Sequence, residues 1–189
     1  MSDIAWNHEI YDVSPIGGST PTGEPNDRFD VGGFRTMMGG FATGTVAVTY
    51  ESDGRFYGMT ANSFTSVSLD PPLALVSLMR ASRALQYLLD RPFAINVLAA
   101  DQLELALYFA GRPQGQEPRW LTDGPAPRLA GTVASMQCTP WAGYPGGDHV
   151  LVLGRVVEFE DSDDVAPLVR QRGLWAELAS RSTYREKKA

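Results

Sequence analysis

Apolar positions in this chain recur mostly at a period of two, the spacing of a strand with one covered face, and only in short runs at the spacing of a helix. The pattern predicts strands over about 43–51 and 55–62, joined at Ser52-Asp53-Gly54, where an Asp-Gly pair suits a hairpin. Further strands are expected near 73–79, 93–98, 128–140 and 149–160, with short helices near 83–90, 101–110 and 164–172. Upstream, Asp30 can cap a helix from Val31 to about Met38 with Phe34, Met37 and Met38 as its buried stripe. Gly32 and Gly33 weaken that helix and point to close packing against neighbouring backbone. Many strands and few helices predict a mainly β fold closed into a barrel.

The run from Gly58 to Leu73 departs from a simple core strand because it is dense in hydroxyls and ends in Asp70-Pro71-Pro72. At a period of two, Thr60, Asn62, Phe64, Ser66 and Ser68 share one side. Met59, Ala61, Val67 and Leu69 share the other with Ser63 and Thr65. One side can hydrogen-bond and the other can pack, so the polar side is a candidate wall for a planar, amide-bearing ligand. A solvated face on an antiparallel sheet gives the same pattern. Proline lacks a donor and restricts the residue before it, so the strand stops there and a buried strand follows from Leu73 to Leu78.

Two further segments carry chemistry. Arg80-Ala81-Ser82-Arg83 precedes the Leu85, Leu88 and Leu89 stripe of a short helix, with Ser82 placed as its N-cap. Free N–H groups, a hydroxyl and a guanidinium at a helix start suit a phosphate, although Ser82 capping the helix beside two solvated arginines is an equal reading. Gly146-Gly147-Asp148-His149 forms a turn into the apolar strand Val150-Leu151-Val152-Leu153. His149 could meet an electron donor or move a proton near neutral pH, with Asp148 orienting it; a solvent-facing turn histidine is the alternative.

Composition narrows the classes. The 189 residues, 43% of them hydrophobic, suit one compact domain. With 22 acidic against 16 basic residues and a net charge of -6, neither nucleic acid nor an anionic membrane surface is an expected partner. The lone Cys138 makes no intrachain disulfide, and the N-terminus has no signal-peptide pattern, so a cytoplasmic location is expected. No run approaches the roughly 18 apolar residues of a membrane span. One Cys and two distant His residues predict no metal site. Neither a GxGxxG turn nor a Walker-type loop is present, so a nicotinamide cofactor would bind outside a Rossmann fold. Three serines without a GxSxG elbow make a poor hydrolase. Residues 1–28, rich in Gly, Pro, Ser and Thr, read as an arm that is disordered or wraps a partner subunit; 29–178 read as the domain and 179–189 as a frayed tail.

The chain resembles the short flavin reductase family. The likeness runs from Phe34 through Phe41-Ala42-Thr43-Gly44-Thr45-Val46-Ala47-Val48-Thr49 and the Gly58–Leu73 run. It continues in Phe93-Ala94-Ile95-Asn96-Val97-Leu98, Gln102, Phe109-Ala110 and Gly147-Asp148-His149 to about Val157. The resemblance implies a flavin-binding split β-barrel with a few short flanking helices, pairing as a homodimer with flavin at the subunit interface. It implies NADH- or NADPH-dependent reduction of FAD or FMN, by hydride transfer from nicotinamide C4 to flavin N5, and release of reduced flavin to a separate monooxygenase. On this resemblance Thr60, Ala61, Asn62 and Ser63 line the isoalloxazine edge, and Ser66, Val67 and Ser68 continue the pocket. Ser82 and Arg83 meet phosphate, and His149, beside Asp148, faces the nicotinamide. Phe109 contacts the ring from the partner subunit or, at helix spacing with Leu105, belongs to the core. Where the family commonly carries Tyr after a Gly near the C-terminus, this chain has Gly173-Leu174-Trp175. A non-catalytic flavin carrier or sensor, or a pyridoxamine phosphate oxidase-like enzyme, remains the alternative.

Overall fold

The computed structural model describes residues 29–162 and 164–176. The arm expected over 1–28 and the tail over 179–189 lie outside the described residues. In chain order the elements are α1 (Val31–Met38), β1 (Thr43–Gly44), β2 (Val46–Ser52), β3 (Arg55–Ala61), β4 (Thr65–Leu69), β5 (Pro72–Met79), α2 (Ala84–Leu88) and β6 (Phe93–Val97). After a short 3-10 turn come α3 (Leu103–Phe109), β7 (Trp120–Leu121), β8 (Arg128–Leu129), β9 (Ala134–Gly146), β10 (His149–Asp161), β11 (Val169–Gln171) and β12 (Leu174–Ala176).

Seven strands form one antiparallel sheet in the order β3-β2-β6-β9-β10-β5-β4. Its outer strands, β3 and β4, are not paired with each other, yet only Asn62, Ser63 and Phe64 separate them in the chain. Four extended Cα steps reach at most about 14 Å, so the sheet must curl until its edges nearly meet. Ser63 fastens the seam: its hydroxyl donates to the Ser77 carbonyl at 2.9 Å and accepts from the Ser77 N–H at 3.1 Å. The expected barrel is therefore closed by a chain crossing rather than by a hydrogen-bonded ladder.

Alternation on β2 explains how both sheet faces are filled. Val46, Val48 and Tyr50 join Val76, Leu78, Phe93, Ile95, Val150 and Val152 in the interior, together with Leu85 and Leu88 of α2. Ala47 points the other way, into a second cluster with Leu98, Ala106, Leu129 and Leu168. On that side Asn96 is fully buried and well satisfied. Its amide N–H donates to the Ala47 carbonyl and the Thr49 hydroxyl, both at 2.9 Å, and its carbonyl accepts from the Leu129 N–H at 2.9 Å. The Asp53-Gly54 hairpin forms with both residues at positive φ, 52° and 71°, as an Asp-Gly turn requires.

Four expectations are corrected. The 58–69 segment is two strands broken at Asn62–Phe64, so its period of two does not run through. The strand expected over 128–140 is interrupted after Leu129 by a turn in which Gly131 has φ 77°. No helix spans 164–172: Pro167 removes a donor there, Leu168 bonds in extended form to Thr45 and Leu98, and Val169–Gln171 pairs with β1 and β12. The helix at Val31–Met38 forms, with Asp30 accepting from the Gly33 N–H at 2.8 Å, but its stripe is not buried. Phe34, Met37 and Met38 are 48%, 61% and 51% exposed. Gly33 stands where any side chain would collide with the capping Asp30 carboxylate, so this glycine serves the cap.

Candidate functional site

The seam crossing supplies one wall of a groove of about 780 Å³. Asn62, Ser63, Phe64 and Thr65 form this wall. The opposite side comes from Arg35, Thr36, Met38 and Gly39 of the α1 region and from Arg170, Gln171, Arg172 and Gly173. The α1 region and the Arg170–Gly173 segment meet because Thr43 pairs with Arg170 across β1 and β11, and because the Arg172 N–H donates to the Gly39 carbonyl at 2.6 Å. Asn62 is exposed with its amide free to face a ligand, whereas the Ser63 hydroxyl already serves Ser77.

Thr60 and Ala61 end β3 beside this wall, and Thr60 spends its hydroxyl on the Ala106 carbonyl of α3 at 2.6 Å. Ser66, Val67 and Ser68 lie on β4, where a bulge leaves Val67 out of register with β5. Ser66 and Val67 are exposed and Ser68 is half-buried. Phe109 packs within the second core cluster, edge-on to Trp120 at 5.9 Å and against the bare backbone of Gly58.

The other two motifs come together at the end of the sheet where β5 stops and β10 begins. His149 stands opposite Met79, the Arg80 N–H donates to the Asp148 carbonyl at 3.0 Å, and Arg80 Nε donates to the Gly147 carbonyl at 2.7 Å. Arg80–Arg83 and the Gly147–His149 turn are therefore one unit. His149 Nδ1 lies 2.7 Å from Asp148 Oδ1, and that hydrogen bond holds the Asp148 carboxyl below its usual range. Ser82 lies one residue ahead of the helix cap position, yet its hydroxyl accepts from the Ala84 N–H at 3.3 Å and contacts Met59 Sδ at 3.7 Å. Through Met59 this unit touches β3 next to Thr60. Ser66, Val67, Ser68, Ser82, Arg83, Phe109, Asp148 and His149 do not line the groove itself.

Sequence reasoning missed Arg35, Thr36, Thr43 and Arg170–Gly173. Nothing local marks them, since residues more than 120 positions apart meet through β1–β11 pairing and through the bonds of Gln171 and Arg172 to the Gly40 and Gly39 carbonyls. Trp175 lies under the Arg170 guanidinium at 4.4 Å rather than opening into the groove.

The chain matches the flavin reductase like domain family over residues 38–178. It is 40% identical over 151 residues to an NADH-dependent flavin reductase of Rhodococcus sp, an alignment covering 76% of this chain and 84% of the relative. It is 36% identical over 142 residues to the reductase component of a 4-hydroxyphenylacetate 3-monooxygenase of Thermus thermophilus, covering 74% and 92%. A solved Streptomyces globisporus NADH:FAD oxidoreductase, in complex with NAD and FAD fragments, superposes with a TM-score of 0.73 at 35% identity, covering 82% of this chain and 95% of that one.

Proposed function

This chain belongs to the flavin reductase-like domain family, and from that premise we propose that it is an NADH:flavin oxidoreductase that reduces FAD or FMN and supplies a separate monooxygenase. The observation that carries the reading is the groove at the barrel seam, which sets the Asn62 amide beside Ser63 and Thr65 in a space the size of a cofactor site. When bound, flavin and nicotinamide supply the hydride chemistry between themselves, so the chain's task is placement. Asn62 would hold the ring edge, with Thr60, Ala61, Ser63, Ser66, Val67 and Ser68 shaping its surroundings. Ser82 and Arg83 would meet the ring-proximal phosphate, and His149, oriented by Asp148, would meet the donor.

The exposed stripe of Phe34, Met37 and Met38 supports a homodimer, because an eight-residue helix with its apolar face in water gains cover by pairing. Phe109 would then serve its own core rather than the partner's ring. Residues 29–178 would be the working domain. The deciding assay is NADH and NADPH consumption with FAD, FMN and riboflavin. Steady NADH oxidation is expected with added flavin; none with any flavin refutes the reading.

A further inference from the structure

We propose that the groove is a diphosphate site, in which Arg35, Arg170 and Arg172 hold the charged bridge of an adenine dinucleotide whose ring end lies toward Asn62. The inference rests on the flavin reductase reading and extends it to a named group and named residues. Three arginines, Arg35, Arg170 and Arg172, are among the residues lining the groove in a chain whose net charge is -6. None of the three has an ion-pair partner among the described residues. Buried Arg128, by contrast, is engaged by both Asp123 and Glu160. Cations gathered in a concavity of an acidic protein, without carboxylates to answer them, mark a place where an anion completes the charge balance.

The arginines are also held in place. The Arg170 guanidinium stacks on the Trp175 ring at 4.4 Å, and Arg172 sits at φ 48° with its N–H fixed to the Gly39 carbonyl. A planar guanidinium fork matches phosphate oxygens two at a time, which an ammonium cannot do. Thr43 lines the same groove, and its hydroxyl oxygen is buried without a hydrogen-bond partner among the described residues. The facing wall of Asn62, Ser63, Phe64 and Thr65 is uncharged. One neutral half and one cationic half suit a molecule with a neutral ring and a doubly charged bridge. Arg83 and Ser82, assigned to the flavin's ring-proximal phosphate, do not line this space, so with FAD the groove arginines would meet only the adenylate-side phosphate of the bridge, and with NADH the whole bridge.

Two dinucleotides share this chemistry, FAD through its adenylate arm and NADH through its own bridge. The test combines Arg35→Gln with Arg172→Asn, an asparagine being tolerant of positive φ. Arg55→Gln, at the far end of β3, is the charge control. If FAD affinity falls about tenfold or more relative to FMN and riboflavin, the groove holds the adenylate arm of FAD. If the KM for NADH rises about tenfold with FMN as acceptor while flavin affinities stay in ratio, it holds the donor. A FAD-to-FMN ratio and an NADH KM both within twofold of wild type overturn the proposal. So does a parallel loss of all three flavins, which would make the arginines a matter of pocket shape. Calorimetry with ADP on the wild-type protein reads the site without turnover and without a variant that must fold: saturable ADP binding that NADH or FAD displaces and riboflavin does not is expected, and its absence overturns the proposal. Failure of NADH oxidation with every flavin would instead strike the functional reading.

Discussion

Gly154→Ala should destabilise the barrel by an amount that the packing around β10 sets. A Cβ at this position would lie 2.6 Å from Phe93 Cζ, 2.7 Å from Cys138 Cβ and 3.2 Å from Cys138 Sγ. Carbon pairs prefer about 3.5–4.0 Å, so two neighbours would each have to retreat by about 1 Å. Neither does so easily. Cys138 Cβ is fixed to the backbone of β9, and both Phe93 and Cys138 have no exposed surface. Overpacking of this kind costs about 1–3 kcal/mol, and two simultaneous clashes place it near the upper end. Replacing glycine by alanine in a strand returns about 0.5–1 kcal/mol of backbone entropy. The net loss is about 2 kcal/mol, which for a chain of this length lowers the thermal midpoint by about 4–8 °C. Phe93→Leu withdraws the ring tip, so the double variant should be less destabilised than the sum of the two singles. Thermal and urea unfolding of all four proteins measure the cycle. A Gly154→Ala midpoint within 1 °C of wild type, or strict additivity with Phe93→Leu, refutes the packing argument.

His149→Ala should raise the KM for NADH or lower kcat while flavin affinity holds, and wild-type values of both in steady-state kinetics remove His149 from the donor side. Arg83→Glu should weaken FAD and FMN about ten- to a hundred-fold more than riboflavin, which lacks the phosphate; equal losses in flavin titrations refute that anchor. Burial pushes the Cys138 thiol up to about 12, so it should resist a disulfide reagent at pH 8 in the folded protein and react fully in denaturant; rapid labelling of the native state contradicts this. The hydrogen bond from Arg128 lowers the folded-state pKa of Asp123, so its contribution is present above its unfolded value of about 3.9 and lost as pH falls through the lower folded value. The thermal midpoint of Asp123→Asn should therefore fall less steeply than that of wild type as pH drops below about 4, and parallel curves refute the linkage.

Much of the fold was legible because alternation records which side of a strand is covered. Val46, Val48 and Tyr50 against Ala47 and Thr49 gave a strand, and Asp53-Gly54 gave its hairpin. Alternation does not record what provides the cover. The stripe of α1 therefore looked like core and is exposed in this chain, and the 164–172 segment read as a helix although Leu168 within it is buried in extended backbone against Thr45 and Leu98. Of the polar run from Thr60 to Ser68, only Asn62, Ser63, Phe64 and Thr65 line the groove, because the run is split by a break that no period reveals. Ser63 and Thr60 turn their hydroxyls to Ser77 and Ala106, leaving Asn62 as the exposed amide. Arg35 and the Arg170–Arg172 segment carry no local signal, because long-range contacts, the pairing of Thr43 with Arg170 and the Arg172 N–H bond to Gly39, bring them together.

The seam also bears on how a reductase of this family can let its product go. A fully hydrogen-bonded barrel would have no gap between edge strands, and its polar backbone would be satisfied all round. Here β3 and β4 stay apart, and the crossing residues provide a wall without a ladder behind them. The groove on that wall is also lined by α1, an element whose own apolar stripe is exposed. On the proposed placement, ring contacts would be mainly neutral amide and hydroxyl groups, each worth about 0.5–1.5 kcal/mol net, whereas the charged contacts would be made to phosphates rather than to the ring. Reduction changes the ring and leaves the phosphates untouched. Affinity carried mostly by such phosphate contacts would be similar for oxidised and reduced flavin, so on this proposal product leaves by simple exchange with fresh substrate.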